Sequence, residues 1–143
     1  MKKVTIYTDG ACSKNPGPGA WAAILIYNNS EKIVSGFAPD TTNNRMELMA
    51  AIEALKALKE KCEVNLYTDS RYVKQGITEW IEKWKRTNFK DKQNVDLWLE
   101  LDEISKKHEI SWHWVQAHSI HELNNRVDAI ARGVVKQYLA EKV

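Results

Sequence analysis

Apolar and polar residues follow two rhythms along this chain, and the shorter one comes first. Val4-Thr5-Ile6-Tyr7-Thr8-Asp9-Gly10 reads as a packed strand, and Val64-Asn65-Leu66-Tyr67-Thr68-Asp69-Ser70 repeats it about sixty residues later. β-branched and aromatic residues suit a pleated surface, and glycine or serine after aspartate is turn chemistry, so each aspartate is expected where strand gives way to loop. Ala20 to Tyr27 is a second strand, and Asn28-Asn29-Ser30 turns into a third, Lys32 to Ala38. Short turns between the first three strands predict an antiparallel meander. The rhythm then lengthens: Thr41-Thr42-Asn43-Asn44 offers helix N-caps, and Leu48, Ala51, Ile52, Leu55 and Leu58 recur at helical spacing. A long helix between the two Tyr-Thr-Asp strands is a crossover that favours a parallel pair. Val73 to Lys85 is expected to be helical with an interruption at Gly76, and Asn94 to Lys107 is a further helix carrying Trp98, Leu101 and Ile104. Ile110 to Val115 is a fifth strand with Ile110, Trp112 and Trp114 on one face. Leu123 to Leu139 closes the chain as a helix whose stripe is Val127, Ile130, Ala131, Val134, Val135 and Tyr138. The expected sum is an α/β domain, a mixed five-stranded sheet with helices packed on it.

Composition narrows the setting. A chain of 143 residues fits one domain, spanning 1–143, whose core needs no disulfide or structural zinc. Cys12 and Cys62 are too few and too far apart for a disulfide framework, so reduced thiols and a cytoplasmic location follow as the default. Thr5, Tyr7 and Asp9 interrupt the segment after Met1-Lys2-Lys3, and no run approaches the ~20 apolar residues of a membrane span. A net charge of +2 decides nothing about a polyanionic partner until the charge is located along the chain.

The acids supply the first chemistry. Parallel neighbouring strands lie ~5 Å apart, so Asp9 and Asp69 would face each other at one sheet edge. Glu47 sits four, seven and eleven residues before Ala51, Ala54 and Leu58, on the flank of its helix's buried stripe, while Glu53 falls on the opposite side. Asp128, three, seven and eleven residues before Ala131, Val135 and Leu139, likewise borders its helix's core stripe. Either helical acid alone is an ordinary N-terminal carboxylate favoured by the helix dipole. Together with two strand-end aspartates, and with no balancing Lys or Arg motif, they are best explained as a hard-cation site of the kind Mg²⁺ prefers. Zinc would recruit His or Cys. His118, in the loop between the fifth strand and the last helix, is a candidate proton shuttle beside those acids, or a surface histidine with no role. The acids read as a metal-dependent nuclease.

The cations collect in one stretch. Trp80 to Lys92 interleaves Trp80, Trp84 and Phe89 with Lys83, Lys85, Arg86, Lys90 and Lys92. Cations meet phosphates and aromatic faces meet sugars or bases, although an amphipathic helix with core tryptophans and solvated lysines would look similar. Cys12 to Gly19 is a turn-rich loop that would bring backbone amides and Asn15 close to a ligand. Thr42, Asn43 and Asn44 could bind a phosphate at a helix start, or serve as caps alone.

These motifs resemble type 1 ribonuclease H, the small bacterial form. The matching blocks are Tyr7 to Gly10, Asn15 to Gly19, Thr41 to Leu48 (Thr-Thr-Asn-Asn-Arg-Met-Glu-Leu), Thr68 to Ser70, Asn94 to Trp98 and the Asp128 helix, in order over nearly the whole chain. The resemblance implies a ribonuclease H-like sheet, with strands 1 to 3 an antiparallel meander, strands 4 and 5 parallel to strand 1, and helices on both faces. It implies a monomeric endonuclease that cuts the RNA strand of RNA/DNA hybrids and leaves 5′-phosphate and 3′-hydroxyl ends. Asp9, Glu47, Asp69 and Asp128 would hold two Mg²⁺ ions, with Mn²⁺ able to substitute, and His118 would assist proton transfer or product release. Cys12, Asn15, Asn43 and Asn44 would line the minor groove near RNA 2′-hydroxyls, and Trp80, Trp84 and the basic segment would hold the DNA strand. Departures from the family pattern are Ala117, Ile120 and Leu123 around the histidine, Gln116 for a lysine, and Arg71 for the glutamine usual after Thr-Asp-Ser. The altered histidine loop raises a rival reading, a weakly active or non-catalytic hybrid-binding module. A phospho-acceptor receiver domain, a second rival, leaves the inward helical acids unexplained.

Overall fold

Alternation of apolar residues carries the first strands further than their motifs suggest. The computed structural model describes residues 1–117 and 121–141. Strands β1 (Lys2–Cys12), β2 (Gly17–Tyr27) and β3 (Ser30–Thr41) form the antiparallel meander, and helix α1 (Asn43–Lys56) leads to β4 (Cys62–Thr68). A helical run comes next, α2 (Arg71–Gln75), a π-helical turn (Gly76–Trp80) and α3 (Ile81–Arg86), then α4 (Val95–Ser105), β5 (Glu109–Trp114) and α5 (Glu122–Glu141). The sheet order is β3-β2-β1-β4-β5, with β4 parallel to β1 and β5 parallel to β4. This is the mixed five-stranded sheet that the sequence predicts.

Two cores flank the sheet because successive strand residues point to opposite faces. Val4, Ile6, Val64 and Leu66 meet Leu48, Ile52 and Leu55 of α1 and Trp98 and Leu101 of α4 in the larger core. Tyr7, Ala22 and Ile24 meet Val127 and Ala131 of α5 in the smaller one. Helices therefore cover both faces. Ile110 and Trp112 of β5 join the larger core as their phase predicts, whereas Trp114, on the same face, ends the strand 37% exposed.

Gly76 does not interrupt its helix. The chain stays helical from Arg71 to Arg86, and Gly76 keeps right-handed helical dihedrals. A Cβ there would stand 2.1 Å from the Trp98 ring, so the missing side chain serves close packing of an entirely buried indole. The Tyr72 hydroxyl accepts from Trp98 Nε1 at 2.9 Å and from Asn94 Nδ2 at 3.1 Å. Arg45 donates to both carboxylate oxygens of Asp96, at 3.0 and 2.8 Å, and to Asn94 Oδ1 at 3.3 Å. Four motif residues, Arg45, Asn94, Asp96 and Trp98, thereby tie α1 and α4 to the run that starts after Asp69.

Candidate active site

Register brings the first two acids together. Parallel pairing sets Tyr7 opposite Tyr67 and Thr8 opposite Thr68, so Asp9 and Asp69 are the next residues of adjacent strands. Behind them the Tyr7 and Tyr67 rings stack at 4.6 Å. Glu47 arrives from the first turns of α1, whose N-cap Thr42 hydroxyl accepts from the Arg45 amide at 3.2 Å. A Cβ on Gly10 would lie 2.5 Å from the Glu47 amide nitrogen, and its absence lets α1 close on β1. One ligand oxygen each from Asp9, Glu47 and Asp69 falls within a mutual 4.8 Å.

Nothing in the protein neutralises that trio fully. Asp9 Oδ1 accepts from the Gly10 amide at 2.9 Å, while Asp9 Oδ2 and Glu47 Oε1 are buried with no hydrogen-bond partner among the described residues. Burial first, then the charges of Asp69 and Asp128, push the Asp9 carboxyl from 3.8 up to about 9. Burial first, then the charges of Asp9 and Asp69, raise Glu47 well above its ordinary value. Orphaned, desolvated carboxylate oxygens within reach of one another fit a hard divalent cation, which takes oxygen ligands and relieves their repulsion.

Asp128 stands apart from the trio in one respect. It adds to the rise of the Asp9 carboxyl, yet its Oδ2 pairs with Arg132 at 2.9 Å, one turn along α5. The expectation of acids with no balancing cation is therefore corrected at this member. The i, i+4 spacing of Asp128 and Arg132 is the sequence signal for it. His118 lies outside the described residues.

The expected substrate residues divide by their existing contacts. Asn15 Oδ1 accepts from the Asn43 amide at 3.2 Å, and the Cys12 thiol donates to the Lys14 carbonyl at 2.6 Å, so the β1–β2 loop and the start of α1 form one ridge. Asn43 and Asn44 are exposed on it, while the Thr42 hydroxyl is committed to capping. Trp80 is 37% exposed, whereas Trp84 packs edge-on against Trp98 at 5.3 Å and is partly core. Trp80, Lys83, Trp84, Lys90 and Lys92 line an open concavity of about 590 Å³. Lys85 is already paired with Asp102 at 2.9 Å and Glu82 at 3.1 Å, and Arg86 Nε donates to the Glu82 carbonyl at 3.4 Å. Arg71 lies over the Trp114 ring, 4.4 Å from its centroid, beside Asp69. By sequence Trp114 is only a core-facing strand residue, and no local signal ties it to the site.

A three-acid cation cradle at the edge of this five-stranded sheet defines a ribonuclease H-like domain. The RNase H family model matches residues 1–136. A ribonuclease H of Hahella chejuensis is 58% identical over 146 residues, covering 99% of each chain, and one of Acetivibrio thermocellus is 57% identical over 143, covering 96% of this chain and 97% of that one. Among solved structures, LC9-RNase H1, a type 1 RNase H with the type 2 active-site motif, superposes with a TM-score of 0.87 at 29% identity, covering 96% of this chain and 74% of that one. LC11-RNase H1, solved in complex with an RNA/DNA hybrid, shares the fold at a TM-score of 0.74 and 22% identity, over 95% of this chain and 99% of that one. The chain belongs to the ribonuclease H family, as a type 1 enzyme of it.

Proposed function

We propose that this enzyme hydrolyses the RNA strand of RNA/DNA hybrids as an endonuclease, by a two-metal-ion mechanism that leaves 5′-phosphate and 3′-hydroxyl ends. The observation that carries the reading is the Asp9, Glu47 and Asp69 cluster with its two orphaned oxygens. These residues and Asp128 would hold two Mg²⁺ ions, or Mn²⁺ in their place, and the bound ions would supply Lewis-acid charge on the attacking and leaving sides of the phosphate. The carboxylates fix that charge at one place on the sheet edge, and the Gly10 contact keeps Glu47 in reach of Asp9. Arg132 holds Asp128 when no cation competes for it. His118 is assigned proton transfer or product release.

Selection of hybrid over other duplexes needs polar contacts on one strand and a deoxy-compatible surface on the other. We assign the first to Cys12, Asn15, Thr42, Asn43, Asn44 and Arg71, and the second to Trp80, Trp84, Lys83, Lys85 and Arg86. The hybrid bound by LC11-RNase H1 supports that substrate. No described helix is long and apolar enough to cross a membrane, and we expect a monomer acting in the cytoplasm. The test is cleavage of a labelled RNA strand, in a hybrid and alone, with Mg²⁺ or EDTA, by the native chain and Asp9→Asn. Metal-dependent cleavage of the hybrid alone, lost in Asp9→Asn, is expected, with mass spectrometry reading the ends. Hybrid binding without any metal-dependent cleavage would refute the proposal.

A further inference from the structure

Beside the acid cluster, one cation is held by an aromatic ring rather than by an acid. Trp114 Nε1 donates to the Asp69 backbone carbonyl at 3.0 Å, and the Val115 amide donates to the Thr68 carbonyl at 2.9 Å. The end of β5 thus pins the turn on which Asp69 sits. Ser70 holds that turn from the other side: its amide donates to Thr68 Oγ1 at 3.0 Å and its hydroxyl accepts from the Val73 amide at 3.1 Å. Trp114 ends its strand 37% exposed, and the exposed Arg71 guanidinium lies over its ring at 4.4 Å. No acid among the described residues pairs with Arg71, in contrast to Arg45, Arg126 and Arg132, each of which meets a carboxylate.

We propose that Arg71 binds a phosphodiester of the substrate next to the scissile one, and that Trp114 is the positioning residue that holds it there. The inference rests on the function proposed above and deepens it. An arginine over an indole keeps its in-plane N–H groups unspent, and those donors match the forked oxygens of a phosphate. The ring also limits the side chain's rotamers before substrate arrives, so less freedom is lost on binding. Because the same indole holds the Asp69 carbonyl, the guanidinium and the acid cluster are placed relative to each other by one rigid group. A glutamine at this position would offer an amide to a sugar hydroxyl or base edge but would release no counterion. The arginine adds one, so its contact is legible in salt dependence.

The test measures hybrid binding by fluorescence anisotropy across a salt series, with every chain carrying Asp9→Asn so that the hybrid survives. Arg71→Gln is expected to weaken binding several-fold and to reduce the slope of log affinity against log salt by about 1. Arg71→Lys keeps the charge and should preserve the slope while weakening binding, because the fork is lost. Trp114→Leu should approach Arg71→Gln, Trp114→Phe should restore much of the loss through its ring, and the Arg71→Gln, Trp114→Leu pair should bind no worse than Arg71→Gln alone. An unchanged slope in Arg71→Gln, with hybrid binding intact, overturns the phosphate contact and leaves the nuclease reading standing. Equal losses from Trp114→Leu with and without Arg71 overturn the positioning role. Failure of the parent Asp9→Asn chain to bind hybrid at all sinks both.

Discussion

Replacing Asp9 with asparagine should destroy activity and make the metal-free protein more stable. Asp9 is 2% exposed, its Oδ2 has no partner among the described residues, and its carboxyl is pushed from 3.8 up to about 9. Between those values the folded chain keeps a proton that the unfolded chain releases, so stability falls as pH rises through that window. At 1.36 kcal/mol per pKa unit, the gap between 3.8 and pH 7 corresponds to about 4 kcal/mol. Charge repulsion gives a similar figure: two unit charges 4.8 Å apart repel by about 3.5 kcal/mol at an effective dielectric constant of about 20. Asparagine is neutral at every pH and occupies nearly the same volume, so Asp9→Asn should recover roughly 2–4 kcal/mol at pH 7. For a domain of this size that is a rise in Tm of roughly 6–14 °C. Thermal unfolding in EDTA, followed by circular dichroism from pH 4 to pH 9, reads it. The gain should be near zero at pH 4 and grow with pH, and Mg²⁺ should stabilise the native chain but not the variant. An Asp9→Asn chain that melts at or below the native chain at pH 8, or gains equally at pH 4, would refute the argument from buried charge.

Other consequences rest on the same contacts. Because Asp9, pushed up to about 9, holds a proton at neutral pH in the bare site and burial pushes Glu47 in the same direction, Mg²⁺ binding should release protons and strengthen from pH 6 toward pH 9; calorimetry in two buffers of different ionisation heat should show the difference, and buffer-independent heats would contradict it. Tyr72→Phe removes the acceptor for Trp98 Nε1 and Asn94 Nδ2 and should cost about 2 kcal/mol in urea unfolding. Two helical glycines should respond oppositely to alanine. A Cβ added at Gly133 would meet nothing within 4 Å, so Gly133→Ala should stabilise by about 0.5–1 kcal/mol. Gly76→Ala forces a methyl group into Trp98 and should destabilise by roughly 1–3 kcal/mol, measured in the same urea titration.

Local pattern is enough to determine the strands, most of the helices and the candidate acids, because period-2 and period-3.6 alternation report which side of each element meets the core. It identifies Glu47 and Asp128 as inward-facing from their phase alone, and it locates the concentration of cations after Trp80. Helical phase says which way a residue points but not what it meets, and that is left to the tertiary structure. Only the packed sheet sets Asp9, Glu47 and Asp69 within 4.8 Å and gives Asp128 to Arg132. Gly76 reads as a break because glycine weakens a helix, yet Trp98, twenty-two residues away, needs its missing side chain. Arg45, Asn94 and Asp96 lie in motif blocks that resemble the family, and their hydrogen bonds give them a structural task between α1 and α4. Trp114 reads as one more apolar residue of a strand. Its meeting with both the Asp69 carbonyl and Arg71 depends on where β5 ends beside β4, a matter of register between segments distant in sequence that no local rhythm encodes.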